Sequence, residues 1–194
     1  MYHEAMQISV WPLFYDDMQN IGKKFEQAIK ESVPDYALLY RLPDPAQSFG
    51  GGSATRFSRH NPFDFILWDS KRHVLYALEA KTVSGKSISF ERNKGDSGVI
   101  HHFQSAGLNN WNEFDGTVCG FIIEFRALEK TIFLDIESYN WLIGQIDKKS
   151  FNIGDLDENG LSYFVIPQTK KRTRYVYDID SFLSREEKEN KNGK

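Results

Sequence analysis

The sequence predicts an α/β domain in which helices flank a mixed β-sheet, and two kinds of segment lead to that prediction. Residues 63–68 and 74–82 are apolar at odd and even positions alike, which is typical of strands buried on both faces. Residues 16–33 repeat apolar side chains at three- and four-residue spacing, as an amphipathic helix does. Asp16 or Asp17 is the predicted cap of this helix, and Pro34 ends it.

The remaining elements are predicted from the same patterns. Strands are expected over residues 36–42, 117–126, 131–136 and 161–166. Helices are expected over 98–113, with Ile100, Phe103, Gly107 and Trp111 facing the core, over 137–147, and near Ser181. The stretches 46–61, 84–97 and 155–160 are predicted loops. We assign residues 1–184 to a single domain and 185–194 to a polar, disordered C-terminal tail.

Composition restricts the class of protein. The chain has 194 residues, a formal net charge of -3 and a single cysteine, Cys119, within an apolar run. A small negative charge argues against a protein that coats nucleic acid non-specifically. No apolar run approaches the ~20 residues of a membrane span, and the first residues lack the pattern of a signal peptide. We therefore expect a cytoplasmic protein with a buried, reduced thiol.

Three charged residues interrupt the two most apolar strands: Asp64, Glu79 and Lys81. Side chains alternate along a strand, so Glu79 and Lys81 share a face. A hairpin loop with an even number of residues, such as Lys71-Arg72, places Asp64 opposite Glu79 with Cβ atoms about 5 Å apart. Paired carboxylates of this kind suit Mg²⁺ or Mn²⁺, whereas a buried carboxylate–lysine ion pair is the alternative.

Other polar residues are ambiguous on their own. Glu26 lies on the first helix and can form a surface pair with Lys30, and Gln104 on the later helix can simply be solvated. His101 and His102 lack the spacing of a zinc site. The loops around the central strands carry basic residues that suit contacts to a phosphate backbone, namely Arg56, Arg59, Lys86 and Arg92.

The order of these elements and charged residues resembles the PD-(D/E)xK nuclease superfamily, and within it the RecU-type Holliday junction resolvases. Residues 18–145 carry the resemblance. The matching motifs are Gly22-Lys23-Lys24-Phe25-Glu26, Pro62-Phe63-Asp64, Leu78-Glu79-Ala80-Lys81-Thr82 and Gln104.

This resemblance implies a restriction-endonuclease-like fold and a role for each matching residue. Asp64, Glu79 and the Ala80 carbonyl would hold Mg²⁺ or Mn²⁺, and Glu26 would complete the metal site. Lys81 would orient water or stabilise the phosphate, and Gln104 would support Lys81 or the water. The implied activity is metal-dependent cleavage of branched DNA by a homodimer in recombination or repair.

Two alternatives stay open. RecU-type proteins insert a long basic stalk before the metal-binding aspartate, whereas the corresponding region here is short and glycine-rich. An endonuclease of the same fold acting on linear duplex or flap DNA is therefore one alternative. A non-catalytic DNA-binding protein is the other, although such a protein need not retain all of Asp64, Glu79 and Lys81.

Overall fold

The computed structural model describes residues 11–43, 60–172 and 174–185, with side chains from residue 21 onward. The helices are α1 Trp11–Lys30, α2 His102–Asn112, α3 Ile136–Gln145, α4 Ile153–Glu158 and α5 Ile179–Leu183. The strands are β1 Ala37–Arg41, β2 Phe65–Asp69, β3 Val74–Val83, β4 Ser87–Ser89, β5 Thr117–Phe125, β6 Lys130–Asp135, β7 Ser150–Asn152, β8 Phe164–Ile166, β9 Gln168–Lys170 and β10 Tyr175–Tyr177.

Six of these strands form one mixed sheet in the order β1-β2-β3-β5-β6-β8. Strands β3 and β5 are parallel and are connected through α2, whereas the other neighbours in the sheet are antiparallel. Two small two-stranded sheets, β4-β7 and β9-β10, lie outside it. The predicted fold class, a mixed sheet flanked by helices, is confirmed.

A hydrophobic core covers each face of the central sheet. Helix α1 packs one face through Phe25 and Ile29, together with Phe182 of α5. Helices α2 and α3 pack the other face, where Leu108 and Tyr139 are fully buried. Because both faces are covered, β3 is apolar on both sides along most of its length, as predicted for residues 74–82, with Glu79, Lys81 and Thr82 as the exceptions.

Three predicted boundaries are wrong. Helix α1 reaches back to Trp11, so Asp16 and Asp17 lie inside it. Helix α2 begins at His102, because the amides of Val99 and Ile100 donate to the Ser89 carbonyl and hold that segment extended. The predicted loop 155–160 is mostly helix α4.

Two side chains also differ from the prediction. Phe103 is 38% exposed and stacks between His60 and His101 instead of joining the core. Arg185, assigned to the polar tail, lies over the rings of Phe133 and Phe182, while residues 186–194 lie outside the described chain.

Cys119 is buried and unpaired, as expected. None of the helices in the described ranges is long and apolar enough to cross a membrane.

Candidate active site

The antiparallel pairing of β2 and β3 sets the geometry of the candidate site. Phe65 pairs with Leu78, so the same register places Asp64 opposite Glu79. The Asp64 amide donates to the Leu78 carbonyl at 3.1 Å, which extends the pairing by one residue. The connecting loop spans residues 70–73, two residues longer than predicted, but its even length preserves the predicted register.

Asp64 lies at the start of this pairing and is held by the backbone of β3. Its Oδ2 accepts the Ala80 N–H at 2.9 Å. Burial raises the pKa of Asp64 to about 6, and the charge of Glu26 adds to the increase, whereas the Ala80 N–H and Lys81 oppose it. The structure therefore holds a carboxylate where its ionised form is disfavoured.

Glu79 is the most buried charged group of the site, with 2% of its surface exposed. One oxygen, Oε1, accepts from Lys81 Nζ at 2.8 Å and from Gln104 Nε2. The other oxygen, Oε2, is buried and has no hydrogen-bond partner. Burial raises the pKa of Glu79 to about 8, and Asp64 adds to this, while Lys81 acts in the opposite direction.

Gln104 reaches this carboxylate from the first turn of α2. Its Oε1 accepts the His101 N–H at 2.9 Å, so its Nε2 is directed at Glu79. Glu91 supports the same helix end by accepting the His102 N–H at 2.9 Å and His101 Nδ1 at 2.7 Å. The sequence anticipated that Gln104 points towards the site, but its partner is Glu79 and not Lys81.

Close packing of α2 against the segment before β2 holds Gln104 in place. Gly107 lies against Pro62, and a Cβ at this position would lie 2.9 Å from the Pro62 Cα and closer still to its Cβ. Glycine at 107 therefore lets the helix approach the chain that carries Asp64.

We expect Gly107→Ala to lower the free energy of unfolding by about 1–3 kcal/mol, because the added methyl group overpacks a contact made by backbone atoms. Gly144→Ala is the matched control, since its Cβ would meet nothing within 4 Å in α3. That control should be neutral or slightly stabilising. Urea unfolding of both variants measures the difference, and equal stabilities would refute the proposed packing constraint.

Glu26 enters the same region from α1 and has a partner that the sequence analysis missed. Its Oε2 accepts from Arg41 Nε at 2.5 Å, in place of the predicted pair with Lys30. Arg41 ends β1, and only the tertiary fold brings it to α1.

A cleft of about 570 Å³ brings together the five predicted site residues, with other polar side chains that include Lys23, Arg41, His60, Thr82 and His101.

The structure describes two of the four predicted DNA-binding residues, Lys86 and Arg92, and neither lines this cleft. Arg92 donates to the carbonyls of Ile143, Ile146 and Lys148 at the end of α3, which is a structural role. Lys86 is exposed on the turn between β3 and β4. Arg56 and Arg59 lie outside the described residues.

The donor set of the cleft fits a hard divalent cation. Asp64 and Glu79 face each other, their oxygens are the ligands that Mg²⁺ prefers, and the unpartnered Glu79 Oε2 lacks the donor or cation that a buried carboxylate oxygen requires. Within the described ranges, no three histidine, cysteine or acidic side chains form a complete metal cage. Water and backbone oxygens would therefore supply further ligands.

The raised pKa values predict how stability depends on pH in the metal-free protein. Between the ordinary carboxyl values near 4 and the folded values of about 6 and 8, the folded state binds more protons than the unfolded state. The contribution of Asp64 and Glu79 to stability is complete at low pH and is lost as pH rises through 6 to 8. We expect the melting temperature in EDTA to fall from pH 5 to pH 9. A flat or rising profile, or a fall that persists after substitution of both carboxylates by amides, would contradict this.

Comparison with known proteins adds little to these observations. No protein-family model matches the chain, and no curated protein matches it. A solved structure with a similar chain path is Hjc, a Holliday junction resolvase from the archaeal hyperthermophile Archaeoglobus fulgidus. Its TM-score is 0.37 at 10% sequence identity, over 72% of this chain and 88% of that one. At this TM-score and identity the likeness carries no information on the activity of this chain.

Proposed function

We propose that the protein is a metal-dependent DNA endonuclease that hydrolyses phosphodiester bonds with Mg²⁺ or Mn²⁺. The observation that carries this proposal is the meeting of Asp64, Glu79 and Lys81 in one cleft, with a buried Glu79 oxygen that has no partner. Two carboxylates with raised pKa values are costly for a fold to maintain, so their retention at a cleft favours a functional role.

Each residue has a distinct role in the proposed reaction. Asp64, Glu79 and the Ala80 carbonyl hold the cation, and Glu26 contributes from α1 directly or through water. Lys81 places a positive charge beside Glu79, where it can orient the attacking water or the scissile phosphate. Gln104 positions Glu79 by donating to Oε1. A bound divalent cation supplies the Lewis acidity that lowers the pKa of water and neutralises phosphate charge.

Branched DNA is the substrate class we propose, because the matching motifs resemble those of junction resolvases. Linear duplex or flap DNA is the rival substrate, and non-catalytic binding of DNA is the rival function. Exposed Lys86, together with the predicted contacts of Arg56 and Arg59, is the proposed source of backbone affinity.

A cleavage assay on four-way junction, flap and linear duplex DNA tests the assignment. We expect cleavage that requires Mg²⁺ or Mn²⁺, is fastest on the junction, and is absent in EDTA. Asp64→Asn, purified in parallel, controls for contaminating nucleases. Binding without cleavage in either metal would refute the enzyme assignment, whereas equal cleavage of all three substrates would refute only the branched-DNA preference.

We also propose that the protein acts as a homodimer, since two equivalent cleavage sites match the symmetry of a junction. Edge strand β1 supports this proposal, because Leu38 is 68% exposed and Tyr40 is 58% exposed beside exposed Trp68 of β2. We expect Leu38→Glu to convert a dimer to a monomer in sedimentation velocity at micromolar concentration. A wild-type protein that is monomeric throughout that range would contradict paired cleavage but not the nuclease assignment.

A further inference from the structure

A second groove continues from the candidate active site beyond the end of β3, with both polar and apolar side chains in its lining. It has a volume of about 710 Å³ and shares Thr82 with the catalytic cleft. Its lining includes the turn residues Ser84 and Gly85, the hydroxyl groups of Ser87, Ser89 and Ser150, and one cation, Arg126. The groove therefore extends the cleft along a path where serine hydroxyl groups and Arg126 lie among apolar side chains such as Val83 and Val99.

Arg126 occupies a defined place in this groove. Strands β3 and β5 are parallel, with Val83 beside Phe125, so Arg126 follows β5 alongside Ser84. Its backbone begins a short 3₁₀ turn, Arg126–Leu128. The position is fixed by the central sheet and not by a long loop.

The guanidinium of Arg126 lacks a partner within the described part of the chain. Its Nε is buried and makes no hydrogen bond. The two glutamates closest in sequence have other partners. Glu124 accepts from Thr82 at 2.6 Å and from Tyr177 at 2.9 Å. Glu129 accepts from Lys170 at 3.1 Å and from Tyr175 at 2.9 Å. A buried donor without an acceptor is costly, so an external acceptor would stabilise this side chain.

A second cavity, of about 340 Å³, also contacts Arg126. Its charged lining consists of Lys24, Arg126, Lys170 and Arg174, together with Glu124 and Glu129. Lys170 and Arg174 are each paired with a glutamate, Glu129 and Glu31 respectively. Among these cations, Arg126 is the one that lines both cavities and has a buried nitrogen without a hydrogen bond.

We propose that Arg126 and the hydroxyl groups beside it bind a backbone phosphate of DNA at a distance from the cleaved bond. This inference rests on the proposed function and adds a second contact with the substrate. Arginine and serine are common donors to backbone phosphates, and the guanidinium can bind two phosphate oxygens at once.

The sheet sets the spacing between this phosphate subsite and the catalytic carboxylates. Ser84, which lies beside Arg126, follows Glu79 by five residues along β3. That separation corresponds to roughly 16 Å along the strand, comparable to the rise of about five base pairs. Arg126 is thus a binding residue that positions the nucleic acid, and it takes no part in the chemical step.

The salt dependence of DNA binding tests this inference. Arg126→Met is compared with its parent in a Glu79→Gln background, using fluorescence anisotropy on a labelled four-way junction and a labelled linear duplex. We expect about tenfold weaker binding at low salt and a log Kd against log salt slope that is smaller by about 1, the loss of one phosphate contact. Lys71→Met removes the same charge at the opposite end of β3 and should leave the slope unchanged.

Kinetics and folding provide the remaining readouts. With Glu79 intact, Arg126→Met should raise KM and leave kcat within about twofold, and its melting temperature should not fall, because no hydrogen bond of Nε is lost. An unchanged Kd and slope in a protein that cleaves DNA would overturn the phosphate subsite alone. A lower melting temperature with an unchanged slope would assign Arg126 a structural role instead. Absence of DNA binding by the parent would overturn both this inference and the proposed function.

Discussion

Glu79→Gln is expected to abolish cleavage and, at the same time, to stabilise the metal-free protein at alkaline pH. The substitution removes a ligand charge but keeps the Oε1 acceptor that Lys81 and Gln104 use. Because the pKa of Glu79 is raised to about 8, the fold holds an unfavourable anion only above that pH. The melting temperature in EDTA should therefore rise by several degrees at pH 9 and show no gain at pH 5, since about 1 kcal/mol shifts it by roughly 2–4 °C at this size.

Magnesium provides the second measurement on this variant. Wild-type protein should gain melting temperature on addition of Mg²⁺ or Mn²⁺, because the ion binds only the folded state, and Glu79→Gln should not. Asp155→Asn is the matched control for a buried carboxylate elsewhere. Burial pushes the pKa of Asp155 up, but Lys148 and the Asn152 amide hold it below its ordinary value. Its loss should therefore destabilise the protein while the Mg²⁺ response persists. A Mg²⁺ response that survives in Glu79→Gln would remove Glu79 from the metal site.

The central part of the site was predictable because it depends on strand geometry. Charged residues inside doubly apolar strands are conspicuous in sequence, and an even loop length fixes which of them share a face. The register of Asp64 and Glu79 was therefore correct even though the loop is longer than expected. The same short-range logic recovers the six strands of the central sheet and helices α1, α2 and α3, apart from the boundaries of α1 and α2.

Contacts between distant segments were not predictable from periodicity. The error at Phe103 arose because the pairing of Ser89 with Val99 and Ile100 delays the start of α2, so the assumed core stripe included an exposed position. Arg41 ends β1 and Arg126 follows β5, and neither shows a local signal in the sequence. Their partners and surroundings, Glu26 for Arg41 and the groove for Arg126, come together only in the fold. Helix α4 could have been predicted, because Asn152 is followed three residues later by Asp155, a spacing typical of a capping box. In the structure these two residues form the reciprocal hydrogen bonds of that motif.

Lys81→Met is expected to leave a folded protein that still binds metal and DNA but cleaves at least ~100-fold more slowly, the loss typical of one positioned transition-state group. Methionine has a length comparable to that of lysine and packs well, but it carries no charge and so removes the cation beside Glu79. Folding should survive because a carboxyl whose pKa is already about 8 can take up a proton instead of remaining a buried anion.

This expectation distinguishes a catalytic lysine from a purely structural ion pair, the alternative that the sequence left open. A structural pair predicts that loss of Lys81 lowers stability by about 3–5 kcal/mol, with activity falling only as far as the folded fraction does. Single-turnover cleavage at saturating protein, alongside urea unfolding at pH 7, separates the two. Lys71→Met, at the far end of β3, controls for the change in net charge and should retain full activity. A folded Lys81→Met protein that cleaves at the wild-type rate would exclude the catalytic role, because the charge beside Glu79 would then be dispensable for chemistry.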